Sequence, residues 1–226
     1  MPLRESKGNM YPFVTHTWNP IKGRCSHDCQ YCYMKRFPQK ELHLDEKDLQ
    51  TDLGSGHFIF VGSSTDMWAE DVPSYWIYSV LAQCRRYLGN RYLFQSKNPY
   101  HFYNDPFYFN LHLRGIDTIW GTTVETNQQY PCMGNAPTPL ERQKAMMGLI
   151  GRRMVTVEPI LDFDLEVFVE LIRLASPEWV NIGADSQGHH LPDPSAEKVE
   201  ALIEQLSIFT TVKIKSNLKR ITGVNE

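Results

Sequence analysis

No stretch of this sequence approaches the roughly eighteen consecutive apolar residues that a transmembrane helix needs. The first ten residues lack the apolar core of a signal peptide, so the sequence points to a cytoplasmic protein with no membrane partner. Low-complexity tracts and internal repeats are absent, leaving a globular composition, 42% hydrophobic and 12% aromatic. Charge of one sign is scarce as well. Lys and Arg number 23 against 26 Asp and Glu, and the resulting −3 gives no global attraction to nucleic acid. Cysteine is sparse: five residues, an odd number with three clustered, which fits a reducing compartment. A length of 226 residues suits a single domain, 1–226, with a sizeable core.

The three clustered cysteines are what the chain does have. Cys25, Cys29 and Cys32 lie in Arg24-Cys25-Ser26-His27-Asp28-Cys29-Gln30-Tyr31-Cys32-Tyr33, separated by three residues and then two. Three thiolates on one short loop can hold three corners of a cubane [4Fe-4S] cluster and leave the fourth iron without a protein ligand. The same residues also allow zinc, with His27 or His16 as a fourth ligand, although the second knuckle usual for structural zinc is missing. Disulfide pairing fits the spacing less well. His27 itself reads as solvent-facing or loop-packing.

Short apolar strands alternate with amphipathic helices along the chain. The strand candidates are Phe13 to Trp18, Phe58 to Val61, Tyr92 to Gln95, Thr118 to Thr122, Met154 to Val157 and Trp179 to Ile182, with Thr211 to Ile214 as a possible seventh. Between them, Pro73 opens a helix whose stripe runs from Trp76 to Leu88, before Gly89. Thr138-Pro139-Leu140-Glu141 is a capping box, and Asp164 and Ser195 stand as caps of two more helices. Regular alternation predicts α/β architecture, a parallel sheet with helices outside, curled into an open or closed barrel. Chemistry in such folds sits on loops after the strands' C-terminal ends, and the cysteine loop follows the first strand.

Polar residues gather after each later strand: Ser63-Ser64-Thr65-Asp66, Ser96-Lys97, Glu125-Thr126-Asn127, Glu158-Pro159 and Asp185-Ser186. Each set alone reads as turn chemistry; all of them around one barrel mouth read as a site. Basic residues cluster near the C-terminus at Lys213, Lys215, Lys219 and Arg220.

The cysteine spacing, with an aromatic just before the last cysteine, resembles the signature of the radical S-adenosylmethionine (radical SAM) superfamily. That resemblance implies a partial (β/α)6 barrel of parallel strands with outer helices. It also implies a [4Fe-4S] cluster held by Cys25, Cys29 and Cys32, with S-adenosylmethionine chelated at the open iron. The implied reaction is reductive cleavage to a 5′-deoxyadenosyl radical that takes hydrogen from a substrate, fed by an external electron donor such as flavodoxin or ferredoxin.

The resemblance implies residue roles too. Ser63, Ser64, Thr65 and Asp66 replace the superfamily's frequent Gly-Gly-Glu and would meet the ammonium group. Lys97 would meet the carboxylate, or pair with Asp66 or Glu125. Glu125 and Asn127 are placed for the ribose, and Glu158 for ribose or substrate. Tyr31 and Tyr33 resemble the adenine-contacting segment. Scattered motifs, among them Thr17-Trp18-Asn19-Pro20 and Val157-Glu158-Pro159, are similar to a phage-associated group of short radical SAM proteins of unknown function. The cysteine-tyrosine pattern and Gly62-Ser63-Ser64-Thr65-Asp66 resemble the spore photoproduct lyase branch.

Two cysteines lie outside the motif. Cys84 falls on an apolar helical stripe and reads as a buried structural thiol. Cys132 sits with Tyr130 on a loop at the catalytic end, where a thiol or phenol can give a hydrogen atom to a substrate radical. The aromatics Tyr100, Tyr103, Phe107 and Tyr108 beside Lys97, with the basic C-terminal cluster, point to a nucleotide or nucleic-acid base as substrate. The competing reading is a zinc- or cluster-stabilised nucleic-acid-binding module without turnover.

Overall fold

Side chains alternate across each strand of the sheet, and that alternation divides the protein into two apolar layers. The computed structural model describes residues 3–7, 10–102 and 115–223. Tyr103, Phe107 and Tyr108 lie outside the described residues. One sheet of eight strands runs in the order β1 (Arg4–Glu5), β2 (His16–Trp18), β5 (Phe58–Val61), β6 (Arg91–Ser96), β7 (Asp117–Thr123), β8 (Arg152–Val157), β9 (Trp179–Ile182) and β10 (Thr211–Ile214). A separate two-stranded ribbon pairs β3 (Ile21–Lys22) with β4 (His43–Leu44). From β2 to β10 every neighbour pairs parallel; only β1 is antiparallel, on β2. Among the described residues the sheet does not close on itself. The fold is an open α/β barrel of seven parallel strands, so the possible seventh strand is real.

The outer layer lies between sheet and helices. Ile59, Val61, Phe94, Trp120, Val155, Val157, Val180 and Ile182 face the helices α2 (Ser74–Arg86), α3 (Pro139–Met147), α4 (Leu165–Leu174) and α5 (Ala196–Ser207). Two short helices, α1 (Glu46–Leu49) and α6 (Lys219–Thr222), complete the set among the described residues. Each fully buried aliphatic side chain here contributes roughly 1.5–3 kcal/mol from burial. The inner layer is Phe60, Leu93, Ile119, Met154 and Trp179, one from each of five strands, covered by Tyr11, Phe13 and Val14 of the β1–β2 connection. Above it stand polar inner positions: Gln95, Thr156 and Asn181. The Tyr11 hydroxyl bonds two of them, donating to Gln95 Oε1 at 2.9 Å and meeting Thr156 Oγ1 at 2.8 Å.

Several local expectations change. The first strand begins at His16 rather than Phe13, because Tyr11 and Phe13 leave the sheet to stack on each other (5.3 Å between centroids) inside it. Helix α2 stops at Arg86, so Leu88 is exposed instead of extending the stripe. Asp164 occupies the cap position of α4, but its carboxylate accepts from Asn127 Nδ2 (3.0 Å) and Gln128 Nε2 (3.1 Å) rather than from the helix. The Thr138–Glu141 box and the Ser195 cap form as the sequence predicts. Among the described residues no helix is long and apolar enough to cross a membrane.

Candidate functional site

The cysteine loop is held from two sides. Within it, Asp28 N–H donates to Cys25 O (3.3 Å) and Cys32 N–H to Cys29 O (3.2 Å), while Asp28 takes the left-handed conformation at φ 49°. From below, the loop after β7 docks onto it: Asn135 N–H donates to His27 O at 2.7 Å and Gln30 N–H to Cys132 O at 2.8 Å. Gly134 makes that approach possible. Its φ is 66°, and a Cβ there would sit 2.1 Å from His27 O. All three cysteines are free and line one cavity of about 1440 Å³ at the C-terminal end of the parallel strands.

Burial acts on two of these thiols. It pushes Cys25 up to about 12, with the Asp66 carboxylate adding to the effect, and raises Cys29 as well. A coordinated metal deprotonates a buried thiol outright and so removes that cost. Among the described residues, no three His, Cys, Asp or Glu side chains converge to hold a single metal ion. His27 turns its Nε2 to Asp66 Oδ2 (2.8 Å), and His16 does not line the cavity but packs on His57. The donor set is therefore three thiols without a converging fourth group. It fits a cluster in which each thiolate binds its own iron better than a tetrahedral zinc centre.

Asp66, on the turn after β5, is a hub. Oδ2 accepts from His27, from Ser96 Oγ and from Lys97 N–H, each at 2.8 Å, and Oδ1 accepts from Trp68 N–H at 3.0 Å. Burial works against its ionised form, yet His27 and those amides outweigh it and hold the pKa below the ordinary carboxylate value. Asp66 thus ties the cysteine loop to β5 and β6. Its neighbours do similar work: Thr65 Oγ1 donates to Gly23 O (2.9 Å), and Ser63 Oγ and Ser64 N–H both donate to Asn19 Oδ1 (3.1 and 2.9 Å). Tyr33, more than a third exposed, donates to Ser63 O at 2.8 Å, and burial of its ring pushes its pKa up to about 12.

Glu125 anchors a second network directly beneath the loop. It is fully buried, accepts from Tyr31 Oη at 2.6 Å and from Arg142 Nη1 at 2.8 Å, and pairs with Lys97 Nζ. Burial opposes its charge, but Arg142 and Lys97 bring the pKa down to about 2. Arg142 is itself fully buried, with further bonds to Pro137 O (2.6 Å) and Thr123 O (2.9 Å). Lys97 alone of this network reaches far enough to line the cavity with Tyr31, over whose ring its ammonium lies at 5.0 Å. Of the sequence alternatives for Lys97, the Glu125 pair forms.

Glu158, after β8, also lines the cavity and accepts from Lys215 Nζ (2.6 Å) and Asn217 Nδ2 (2.8 Å). The remaining predicted residues lie elsewhere. Asn127 is bonded to the start of α4 through Asp164. Cys132 packs with Cys29, Tyr31, Met133 and Leu161 behind the loop, and burial raises its thiol pKa. Tyr130 donates to Gln128 Oε1 at 3.0 Å. None of these three lines the cavity. Sequence reasoning missed Arg142, Tyr11 and Asn217, and read Lys215 only as part of a C-terminal basic cluster.

No protein-family model and no curated protein matches the chain. Solved structures do. A spore photoproduct lyase mutant with bound AdoMet and dinucleoside spore photoproduct is similar over 91% of this chain, at 12% identity and a TM-score of 0.59. Another mutant of the same lyase matches over 92% of this chain and 78% of its own, at 12% identity and a TM-score of 0.64. The fold is that of these lyases, a partial α/β barrel. The chain spans 65% of the length of the AdoMet-bound neighbour.

Proposed function

We propose that this protein is a radical SAM enzyme, with a [4Fe-4S] cluster on Cys25, Cys29 and Cys32 and S-adenosylmethionine bound in the adjoining cavity. The observation that carries the reading is the placement of three free thiols, spaced C-x3-C-x2-C, on one wall of a large cavity at the strand ends. When bound, and with an external one-electron donor such as flavodoxin or ferredoxin, the cluster and cofactor would supply radical chemistry for abstracting hydrogen from a substrate.

The chain's own residues orient and shield. Asp66 fixes the height of the loop through His27 and fixes Lys97 through its amide. Lys97 then presents its ammonium to the cavity for the cofactor carboxylate, while Glu125, locked by Arg142, keeps it in place. Tyr31 and Tyr33 flank the last cysteine and cover the loop, limiting water at the thiols. Ser63 and Ser64, fastened by Asn19, offer polar contacts on the same rim. Kinship with the short phage-associated group rests on the motifs alone, and the free thiols suit a cytoplasmic setting.

The test is anaerobic reconstitution followed by iron and sulfide analysis. About four of each per chain is expected, falling sharply in Cys25→Ala, Cys29→Ala and Cys32→Ala. One zinc per chain and no sulfide would replace this reading with a zinc-stabilised module.

A further inference from the structure

The three ionised side chains beneath the cysteine loop do not cancel one another. Glu125 is paired with two cations, Arg142 and Lys97, so the network holds one positive charge in excess. Burial makes that excess count. The side chains of Glu125 and Arg142 have no exposed surface, and that of Lys97 is 17% exposed. Arg142 Nη2 is buried without a hydrogen-bond partner among the described residues, so Glu125, Thr123 O and Pro137 O answer the guanidinium only in part. A charge held away from water acts further and more strongly than one at the surface.

Tyr31 links this network to the loop. It lies between Cys29 and Cys32 in the sequence and packs in one apolar cluster with Cys29. Its hydroxyl donates to Glu125 Oε1 at 2.6 Å and accepts from Lys97 Nζ at 3.2 Å. Cys29, Tyr31 and Lys97 line the same cavity. The Cys29 thiol feels all three charges: burial raises its pKa, Lys97 lowers it, Glu125 raises it and Arg142 lowers it. Around Cys25 the nearby charge has the other sign, because after burial it is the Asp66 carboxylate that pushes that thiol up. The positive excess therefore belongs to the Cys29 corner.

We infer that the Glu125–Arg142–Lys97 triad tunes the reduction potential of the cluster, making uptake of one electron easier. A purely structural network needs one cation for one carboxylate. A second buried cation is costly unless an anion answers it. Three thiolates on a cubane core of charge two plus supply that anion: the assembly carries one net negative charge, and two once it has taken an electron from the donor, with no bond made or broken. A positive charge held beside it favours the more negative state, and surrounding charge is one of the determinants of a cluster's potential. The inference rests on the radical SAM reading for the presence of the cluster and adds to it a role for the residues underneath.

The test is potentiometric. The full chain is reconstituted anaerobically without S-adenosylmethionine, so that Lys97 has no cofactor carboxylate to meet, and reduction of the cluster is followed by EPR at set potentials. Lys97→Gln removes one positive charge and leaves Glu125 its Arg142 partner. It should lower the equilibrium constant for reduction at least about ten-fold, which is ~59 mV more negative for one electron. Glu125→Gln removes the negative charge and should move the constant by a similar factor in the opposite direction. Lys144→Gln, an exposed cation on the same helix as Arg142, should leave it within about two-fold, because solvent and salt screen it. Opposite signs separate tuning from a loosened loop, which shifts both variants alike. Should Glu125→Gln fail to hold iron, Lys97→Gln decides alone. A Lys97→Gln potential equal to or above that of the wild type, or shifts of one sign in both variants, overturns the inference and leaves the enzymatic reading standing. A wild-type chain that takes up no iron and sulfide contradicts both.

Discussion

Glu125→Gln removes one charge from the centre of the network beneath the cysteine loop while keeping its volume and one acceptor. Arg142, with no exposed surface, then loses its carboxylate, as does Lys97. Breaking a buried ion pair by neutralising one member costs about 3–5 kcal/mol. Proton linkage gives a compatible size. The carboxyl falls from 4.5 to about 2 on folding, which is on the order of 3 kcal/mol at about 1.36 kcal/mol for each tenfold change in proton affinity. Because the folded value is depressed, this stability is fully present above pH 4.5 and is lost as pH falls toward about 2. The assay is urea unfolding followed by tryptophan fluorescence, at neutral pH and in steps below pH 4.5. At a slope of about 2–3 kcal/mol per molar urea, the variant's midpoint should drop by roughly 1–2 M at neutral pH. Its acid-dependent loss should be smaller than the wild type's. A midpoint shift below about 0.3 M, under ~1 kcal/mol, would refute the claim that Glu125 is a structural keystone.

Gly134→Ala forces a Cβ against the His27 carbonyl in a conformation only glycine adopts easily, so a loss of about 3 kcal/mol or more and poor cluster retention are expected. A wild-type melting curve and cluster absorbance would show the close approach to be unimportant. Cys132→Ala should cost about 1 kcal/mol and leave S-adenosylmethionine cleavage and product distribution intact, because the thiol packs behind the loop. Normal cleavage with aberrant substrate products would instead make that thiol the hydrogen donor.

Seven parallel strands were legible because each is a short run rich in β-branched or aromatic residues closed by turn formers, and the strand-end loops could be located with them. The cysteine spacing marked a loop that lines the cavity. What escaped was whatever depends on long-range partners. Arg142 lies in Pro139-Leu140-Glu141-Arg142-Gln143-Lys144, which reads as a solvated helix face, yet Arg142 and Gln143 are buried while Leu140 and Met147 are exposed. Only a carboxylate seventeen residues earlier explains it. Tyr11 and Phe13 read as strand residues because aromatics favour strands; their place inside the barrel is set by the cover that the inner layer requires. Asp66 and Glu125 stood out as strand-end carboxylates, but sequence could not show that their oxygens are already bonded to protein partners. The two-residue strands β3 and β4 are too short to leave a periodic signal.

The central claim is tested most directly by incubating the anaerobically reconstituted, dithionite-reduced protein with S-adenosylmethionine and measuring 5′-deoxyadenosine by mass spectrometry. The account predicts that 5′-deoxyadenosine forms with the wild-type chain and is lost in each of Cys25→Ala, Cys29→Ala and Cys32→Ala. A wild-type chain that holds its full complement of iron and sulfide and yields none, or a triple variant that still yields it, would contradict the account.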